Sequence, residues 1–476
     1  MRIRMAVVVV SAVFVALALI SCPSASAETR DFLKLVSTGT PQSVQSAIDN
    51  GADITVQDKN GVTALMYAAK FNQNPEVITT LLNAGADVSA KDNSGKTVFD
   101  YAQGNRKLKG TDACQQLFFE LVKAGSPQSI QAAVSKGAEV NTHDKNGLSP
   151  LMYAAADNQS PEVITTLLKA GANLTAQNKD GVTALICAVS NNQNPEVITA
   201  LLKAGADAKS QNKNGFTPLM YAAENTQNPD VVTTLLNAGA DINFQKVDGV
   251  TALMVAAANN QKTGVISTLV KAGANIEVRD NAGMTALIHA ASNNQNREII
   301  TMLLKAGADI KAQDKNGSTS LMWAAARNQN AEVITALLEA GADVNAQDKI
   351  GWTAIICAAS NNQNPRVVSE LLKAGADVSA KDNSGKTAFD HVQGNEKLKG
   401  TDAYRQLFFE LVRVGTPQSI QAAISTGSDV NAKDKNGVTP LMYAAEWTES
   451  SEVITTLLKA GTDLKARDED GVTPLM

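Results

Sequence analysis

Aromatic residues make up 4% of this 476-residue chain, too few for a fold built around a large aromatic core. Only three histidines occur, His143, His289 and His391. They are scattered, and none has a second ligand at metal spacing, so no metal site is expected. Four cysteines leave little material for disulfide or nucleophile chemistry. Cys187 and Cys357 are 170 residues apart in equivalent slots. A stack of units about 10 Å thick would hold their sulfurs too far apart to bridge. Cys114 has no visible partner. An excess of charge of one sign is also missing: 42 Lys and Arg face 47 Asp and Glu, a net charge of −5. That balance gives no basic footprint for nucleic acid. No linker rich in Pro, Gly or Ser divides the chain.

Long apolar runs are missing too, apart from Ala6 to Ile20 at the start. Arg2 and Arg4 precede that run, and the small residues Ala25-Ser26-Ala27 follow it. This pattern predicts a signal peptide over residues 1–27, cleaved between Ala27 and Glu28. The run is short for a membrane span. A competing pattern is Leu19-Ile20-Ser21-Cys22, similar to a bacterial lipoprotein box, although Pro23 is an awkward neighbour. It would lipidate Cys22, and only then is membrane association expected. The expected location is therefore periplasmic or secreted, with lipoprotein anchoring as the alternative.

What the chain has in abundance is repetition. Gly61 recurs as Gly95, Gly147, Gly181 and onward to Gly471, at a spacing of 34 residues interrupted by two gaps of 52. A fixed period of this size marks a stacked array rather than a compact enzyme domain. In the unit from Asp58 to Ala90, Asn60-Gly61 reads as a tight hairpin turn with both central residues at positive φ. Thr63 can cap a helix, and Pro150, Pro218 and Pro440 take the first helical position in other copies. Leu65, Ala68 and Ala69 form the apolar face of a first helix. Asn74-Pro75-Glu76 starts a second, whose stripe is Val77, Ile78, Leu81 and Leu82. Gly85 ends it in the left-handed conformation. No unit of this kind buries its own apolar stripe.

The order Gly61-x-Thr63-x-Leu65-x-x-Ala68-Ala69, followed by Leu81-Leu82-x-x-Gly85-Ala86-Asp87, resembles the ankyrin repeat. The resemblance covers nearly all of the chain after the first 30 residues. It implies an all-α repeat fold, an ankyrin-type α-solenoid of helix-turn-helix units joined by β-hairpin loops. It also implies protein partners and no catalysis. Two departures stand out. The family's histidine after Thr-Pro-Leu is replaced by Met66, Met152, Met220, Met254, Met322, Met442 or by isoleucine, which predicts apolar packing where the histidine bridges. One extra residue between the helices sets the period at 34.

Half-units begin at Phe32, Phe119 and Phe409 and look like array openers. Polar units begin at Lys91 and, 290 residues later, at Lys381. They lack the Leu-Leu stripe and are expected to close arrays. The chain then divides into the signal peptide and three arrays, at 31–116, 117–406 and 407–476, the last without a closing unit. Asp58, Asp144, Asp314 and Asp434 recur once per unit, which fits turn residues better than catalytic carboxylates. Their spacing is not that of a calcium loop. No catalytic residue and no cofactor are expected. The Asn-Gln pairs at 72/73, 158/159, 192/193, 260/261, 294/295, 328/329 and 362/363 read as turn residues. A polar ligand-binding strip is the other reading.

The positions that vary on a fixed frame are the informative ones. By the family resemblance, partners are held by hairpin tips and the exposed part of the first helix. The candidate partner-binding residues there are Phe71, Phe216, Met284, Arg327, Trp352 and Trp447, large apolar or hot-spot types on a rigid surface. The opposing reading is packing between units. The functional expectation is an exported scaffold for protein–protein interaction. The alternatives are a structural or protective scaffold of the envelope, and the targeting half of a longer protein carrying an effector or enzyme domain.

Overall fold

A computed structural model describes residues 27–192 and 194–476. The expected targeting segment before Ala27, Cys22 included, lies outside the described residues, as does Gln193. Ala27 and Glu28 open the first described helix, Ala27–Thr38.

The repeating element is a pair of short helices. In one such pair, Ala64–Phe71 and Glu76–Asn83, the Thr63 hydroxyl accepts the N–H of Met66 at 3.3 Å. The Asn74 side chain accepts the N–H of Glu76 at 3.0 Å and opens the second helix. Val77, Ile78 and Leu81 are buried, and Leu82 is half-buried. Gly85 closes the second helix at φ +91°. First helices pack on first helices and second on second: Ala27–Thr38 lies on Ala64–Phe71, and Pro41–Asp49 on Glu76–Asn83. The same stacking joins Ala252–Asn259, Ala286–Asn293, Ser320–Arg327 and Ala354–Asn361 in succession. Alanines at the contact, such as Ala68, Ala69, Ala256 and Ala257, are fully buried and let these helices approach closely. Each fully buried Val, Leu or Ile contributes about 1.5–3 kcal/mol of transfer free energy. The stability of a pair therefore depends on having neighbours.

Among the described residues there is no β-strand, only isolated antiparallel bridges at Gln57–Thr63 and Gln313–Thr319. The architecture is an all-α repeat solenoid. Contacts gather its residues into two compact units. One holds the described residues up to Asn225 together with Thr233–Ala240; the other holds Thr226–Val232 and Asp241–Met476.

Three sequence expectations need correction. The hairpin is not a two-residue turn with positive φ at both Asn60 and Gly61. The Gly61 N–H bonds to the Asp58 carbonyl at 2.9 Å, which puts Gly61 in the fourth position of the turn, at φ +79°. The Asp58 N–H then bonds to the Val62 carbonyl at 3.0 Å. This is the three-residue hairpin loop that ends in one left-handed residue. Gly61 is needed for space as well, because a Cβ there would meet Asn93 Oδ1 of the next hairpin at 2.7 Å.

The second correction concerns methionine in the histidine slot. Its replacement is not purely apolar. The Sδ of Met66, Met152, Met254, Met322 and Met442 accepts the backbone N–H of the capping residue at 3.3–3.5 Å. A thioether is a weak acceptor, but it meets an otherwise unpaired helix-start donor.

The third concerns the polar units, which do not close arrays. The helix Asp112–Ala124 packs on Glu76–Asn83 behind it and on Pro150–Asp157 ahead of it. Gln116 Nε2 donates to Asn83 Oδ1 at 3.4 Å, while the Phe119 ring lies 5.0 Å from that of Tyr153. One 13-residue helix, about 20 Å long, thus serves as second helix to one pair and first helix to the next. Asp402–Val414 does the same between Pro365–Lys373 and Pro440–Trp447. Stacking continues through both seams, which produces the gaps of 52.

Candidate interaction surface

The hairpin tips are built by their acid. Asp144 Oδ1 accepts the N–H groups of Asn146 and Leu148 at 2.9 and 2.7 Å. Its Oδ2 accepts the hydroxyl of Tyr153, nine residues on, at 3.0 Å. The same acid-to-ring pair is Asp58–Tyr67, Asp92–Tyr101, Asp280–His289, Asp314–Trp323 and Asp382–His391. Burial, then the charge and hydrogen bond of Asp144, push the Tyr153 hydroxyl up to about 12, so it remains a donor. These carboxylates are occupied by turn N–H groups and rings, as expected for structural acids. Successive tips are also tied through their backbones. Lys315 N–H donates to Ala282 at 2.8 Å, Lys349 N–H to Asn316 at 2.9 Å and Asn383 N–H to Ile350 at 3.0 Å.

The Asn-Gln pairs divide their roles. Asn294 Nδ2 donates to the carbonyls of Ala257 and Asn260, both at 2.9 Å, in the preceding repeat. Asn328 donates to Ala291 and Asn294, and Asn362 to Ala325 and Asn328. These three asparagines are fully buried, while Gln295, Gln329 and Gln363 are exposed. The ladder pairs the carbonyls that each first helix leaves unmatched at its C-terminal end. The asparagine side chains are committed to structure, and the glutamines face solvent. Asn105 and Asn395, in the polar units, join the same ladder.

The candidate partner residues fall into two kinds. Phe71, Phe216, Met284 and Trp352 are half-buried. Phe71 tilts against Tyr67 at 5.9 Å with Lys70 Nζ over its ring at 4.8 Å. Phe216 tilts against Tyr221 at 5.5 Å. Trp352 lies 5.0 Å from His391 of the following unit, so part of its surface is inter-repeat packing. Arg327 and Trp447 are exposed, and the Arg327 guanidinium lies 5.1 Å over the Trp323 ring. Two residues escaped the sequence reading. Val247 and Ile350 sit on hairpin tips and are 93% and 54% exposed. The signal was present: other copies carry Lys59 or Asn60 in those positions.

Among the described residues no three of His, Cys, Asp and Glu gather as a metal site would require. Cys114, Cys187 and Cys357 are free thiols. No described helix is long and apolar enough to cross a membrane.

Stacked helix pairs joined by glycine hairpins define a repeat scaffold, and within each unit the hairpin tips lie at the surface. Family models described as ankyrin repeats match residues 48–102, 118–382 in overlapping segments, and 408–476. The chain belongs to the ankyrin-repeat family, whose repeats are protein–protein interaction modules. No curated protein matches it.

Proposed function

We propose that this chain is an exported, non-catalytic scaffold. It holds a protein partner along the hairpin tips and first-helix edge of the unit containing Asp241–Met476. The observation that carries this reading is the pair Val247 and Ile350. Each exposes an apolar side chain on a tip whose backbone is bonded to the next tip, through Asn281 to Val247 and Asp248 and through Asn383 to Ile350. Apolar groups displayed on a rigid edge lose water on contact at little ordering cost. Arg327 and Trp447, types favoured at hot spots, lie exposed in the same unit. Export is supported by the sequence of residues 1–27.

The test is a capture from the native host through a photo-crosslinker at position 350, followed by quantitative binding of the recovered protein. The double variant Val247→Lys and Ile350→Asn should weaken that binding at least tenfold with an unchanged thermal melt. Equal binding by the variant would move the surface elsewhere. Intact mass of the exported protein should show a start at Glu28, or an acylated Cys22 if the anchored form of the proposal holds. Recovery only as uncleaved cytosolic chain would remove the export reading.

A further inference from the structure

The two seams are repeated sequences 290 residues apart, and one group of their differences surrounds the angle between the short and the long helix. In the later copy Tyr404 fills the angle between the short helix Ala388–Val392 and the long helix Asp402–Val414. Its ring lies 5.4 Å from Phe389. Its hydroxyl is 3.1 Å from Ser428 Oγ and accepts from Gln393 Nε2 at 3.1 Å. A cleft of about 400 Å³ remains outside it, walled by Tyr404 and Phe408, and does not reach Phe389 or Leu398.

In the earlier copy three side chains are cut back together. Cys114 stands where Tyr404 stands, Ala138 where Ser428 does, and Ala102 where Val392 does. The aromatic floor and the amide are retained as Phe99, Phe118, Leu108 and Gln103. The cleft, about 420 Å³, now runs inward to Phe99 and Leu108, with Cys114 in its wall. Burial, then the charge of Glu139, push the Cys114 thiol up, which keeps it neutral and suits it to an apolar wall. Lys136 is tied to Asp100 at the rim. Removing a ring, its hydroxyl partner and a neighbouring branch at one spot leaves a recess bounded by the surfaces that enclose a phenol in the sister seam. Its volume falls in the range of small-molecule sites.

We propose that the cleft between Phe99, Leu108, Cys114 and Phe118 binds a small free phenol, whose ring takes the place that Tyr404 occupies in the later seam. The ring tilts against Phe99 as Tyr404 does against Phe389, and the hydroxyl meets the Gln103 amide as Tyr404 meets Gln393. A tilted ring–ring contact and a shielded hydrogen bond give selectivity over cyclohexanol, which lacks the π face.

The test titrates the full chain with 4-fluorophenol, followed by fluorine NMR line broadening, with p-cresol as competitor. One displaceable site is expected. Cys114→Tyr should abolish it while keeping the helical circular dichroism, because the later seam shows that tyrosine fits there. The triple variant Val392→Ala, Tyr404→Cys, Ser428→Ala should raise the stoichiometry from one to two. p-Cresol should slow alkylation of Cys114 by iodoacetamide at least fivefold in the wild-type chain. Broadening that persists undiminished in Cys114→Tyr would overturn the assignment, as would no displaceable binding in the wild type. Binding of a tyrosine-bearing peptide without binding of p-cresol would also overturn it, in favour of a partner's side chain.

Discussion

The Nε2 of His391 lies 2.8 Å from Oδ2 of Asp382, and the two residues are nine apart in one repeat. The acid also accepts the N–H groups of Ser384 and Lys386, at 2.8 and 2.9 Å. One carboxylate thus holds a hairpin tip to the helix that follows it.

Acid should loosen these tips. The Ser384 hydroxyl, then the Lys386 N–H, His391 and the Ser384 N–H, outweigh burial and hold the Asp382 carboxyl well below the usual carboxylate range. At Asp92 burial works to raise the value, but Tyr101, Ser94 and two backbone N–H groups bring it to about 2. A folded carboxyl that titrates below its unfolded value of about 3.9 contributes fully above that pH. Its contribution is lost as pH falls through the folded value. The thermal midpoint should therefore hold steady above about pH 5 and fall between about pH 4 and pH 2. The double variant Asp92→Asn, Asp382→Asn should melt lower at neutral pH and show a shallower acid slope. Asparagine already occupies this position at Asn178 and Asn212, so the variant will fold. An unchanged acid slope would separate these carboxylates from the pH response.

Breaking the asparagine ladder should be costly. Asn328→Ala leaves the carbonyls of Ala291 and Asn294 without their donor in a dry interior. At about 1–3 kcal/mol for each unsatisfied group, urea unfolding should show a loss of about 2 kcal/mol or more. The adjacent Gln329→Ala, on the exposed side, should stay within about 0.5 kcal/mol. Equal effects from the two substitutions would mean that the ladder is not what joins these repeats.

Gly125 and Gly104 should respond oppositely to alanine. A Cβ at Gly125 would meet the Leu121 carbonyl at 2.5 Å, while nothing lies within 4 Å at Gly104. Neither needs positive φ. Gly104→Ala should be neutral or stabilise by about 0.4–1 kcal/mol through the unfolded chain. Gly125→Ala should lower the thermal midpoint by shifting the end of the shared helix.

The thiols should react in order. Burial, with Asp157 second, pushes the Cys187 thiol up to about 12, and burial with Asp348 does the same at Cys357. Cys114 is half-exposed. Iodoacetamide under native conditions should therefore label Cys114 well before the other two, as read by peptide mass spectrometry. With none of the described thiols paired, the melt should be the same with and without reductant.

Trp352→Ala and Ile350→Asn separate packing from display within one hairpin. Loss of the Trp352 contact with His391 should cost about 1–2 kcal/mol in unfolding free energy. Ile350→Asn restores the residue other tips carry and should leave the melt unchanged. A melt that falls only with Ile350→Asn would reverse this assignment.

The helices, their caps and the period were legible because each rests on local chemistry: Thr63 before a helix, Gly85 after one, and apolar residues three and four apart. The tip geometry was misread because Asn-Gly is compatible with two loop lengths, and only the bond from Gly61 to Asp58 distinguishes them. Asn72 looked like an ordinary turn residue, since its partners Val36 and Gly39 lie a whole repeat away in the sequence. The seam helix was hidden by its dual role. Its apolar residues Ala113, Leu117, Phe118, Leu121 and Val122 serve two neighbours, so neither unit's motif is complete. Val247 and Ile350 were visible as odd residues, but only burial could say that they point outward.

The shared helices also make the chain editable by whole blocks. Cutting at any residue of the first seam and rejoining at its equivalent 290 residues on recreates a seam of the same design, with every intervening repeat removed or doubled intact. Unequal recombination between the two similar stretches would therefore lengthen or shorten the protein in steps of one block without creating an unmatched helix. Variation in length among related chains, in multiples of that block, is the genetic trace such a joint would leave.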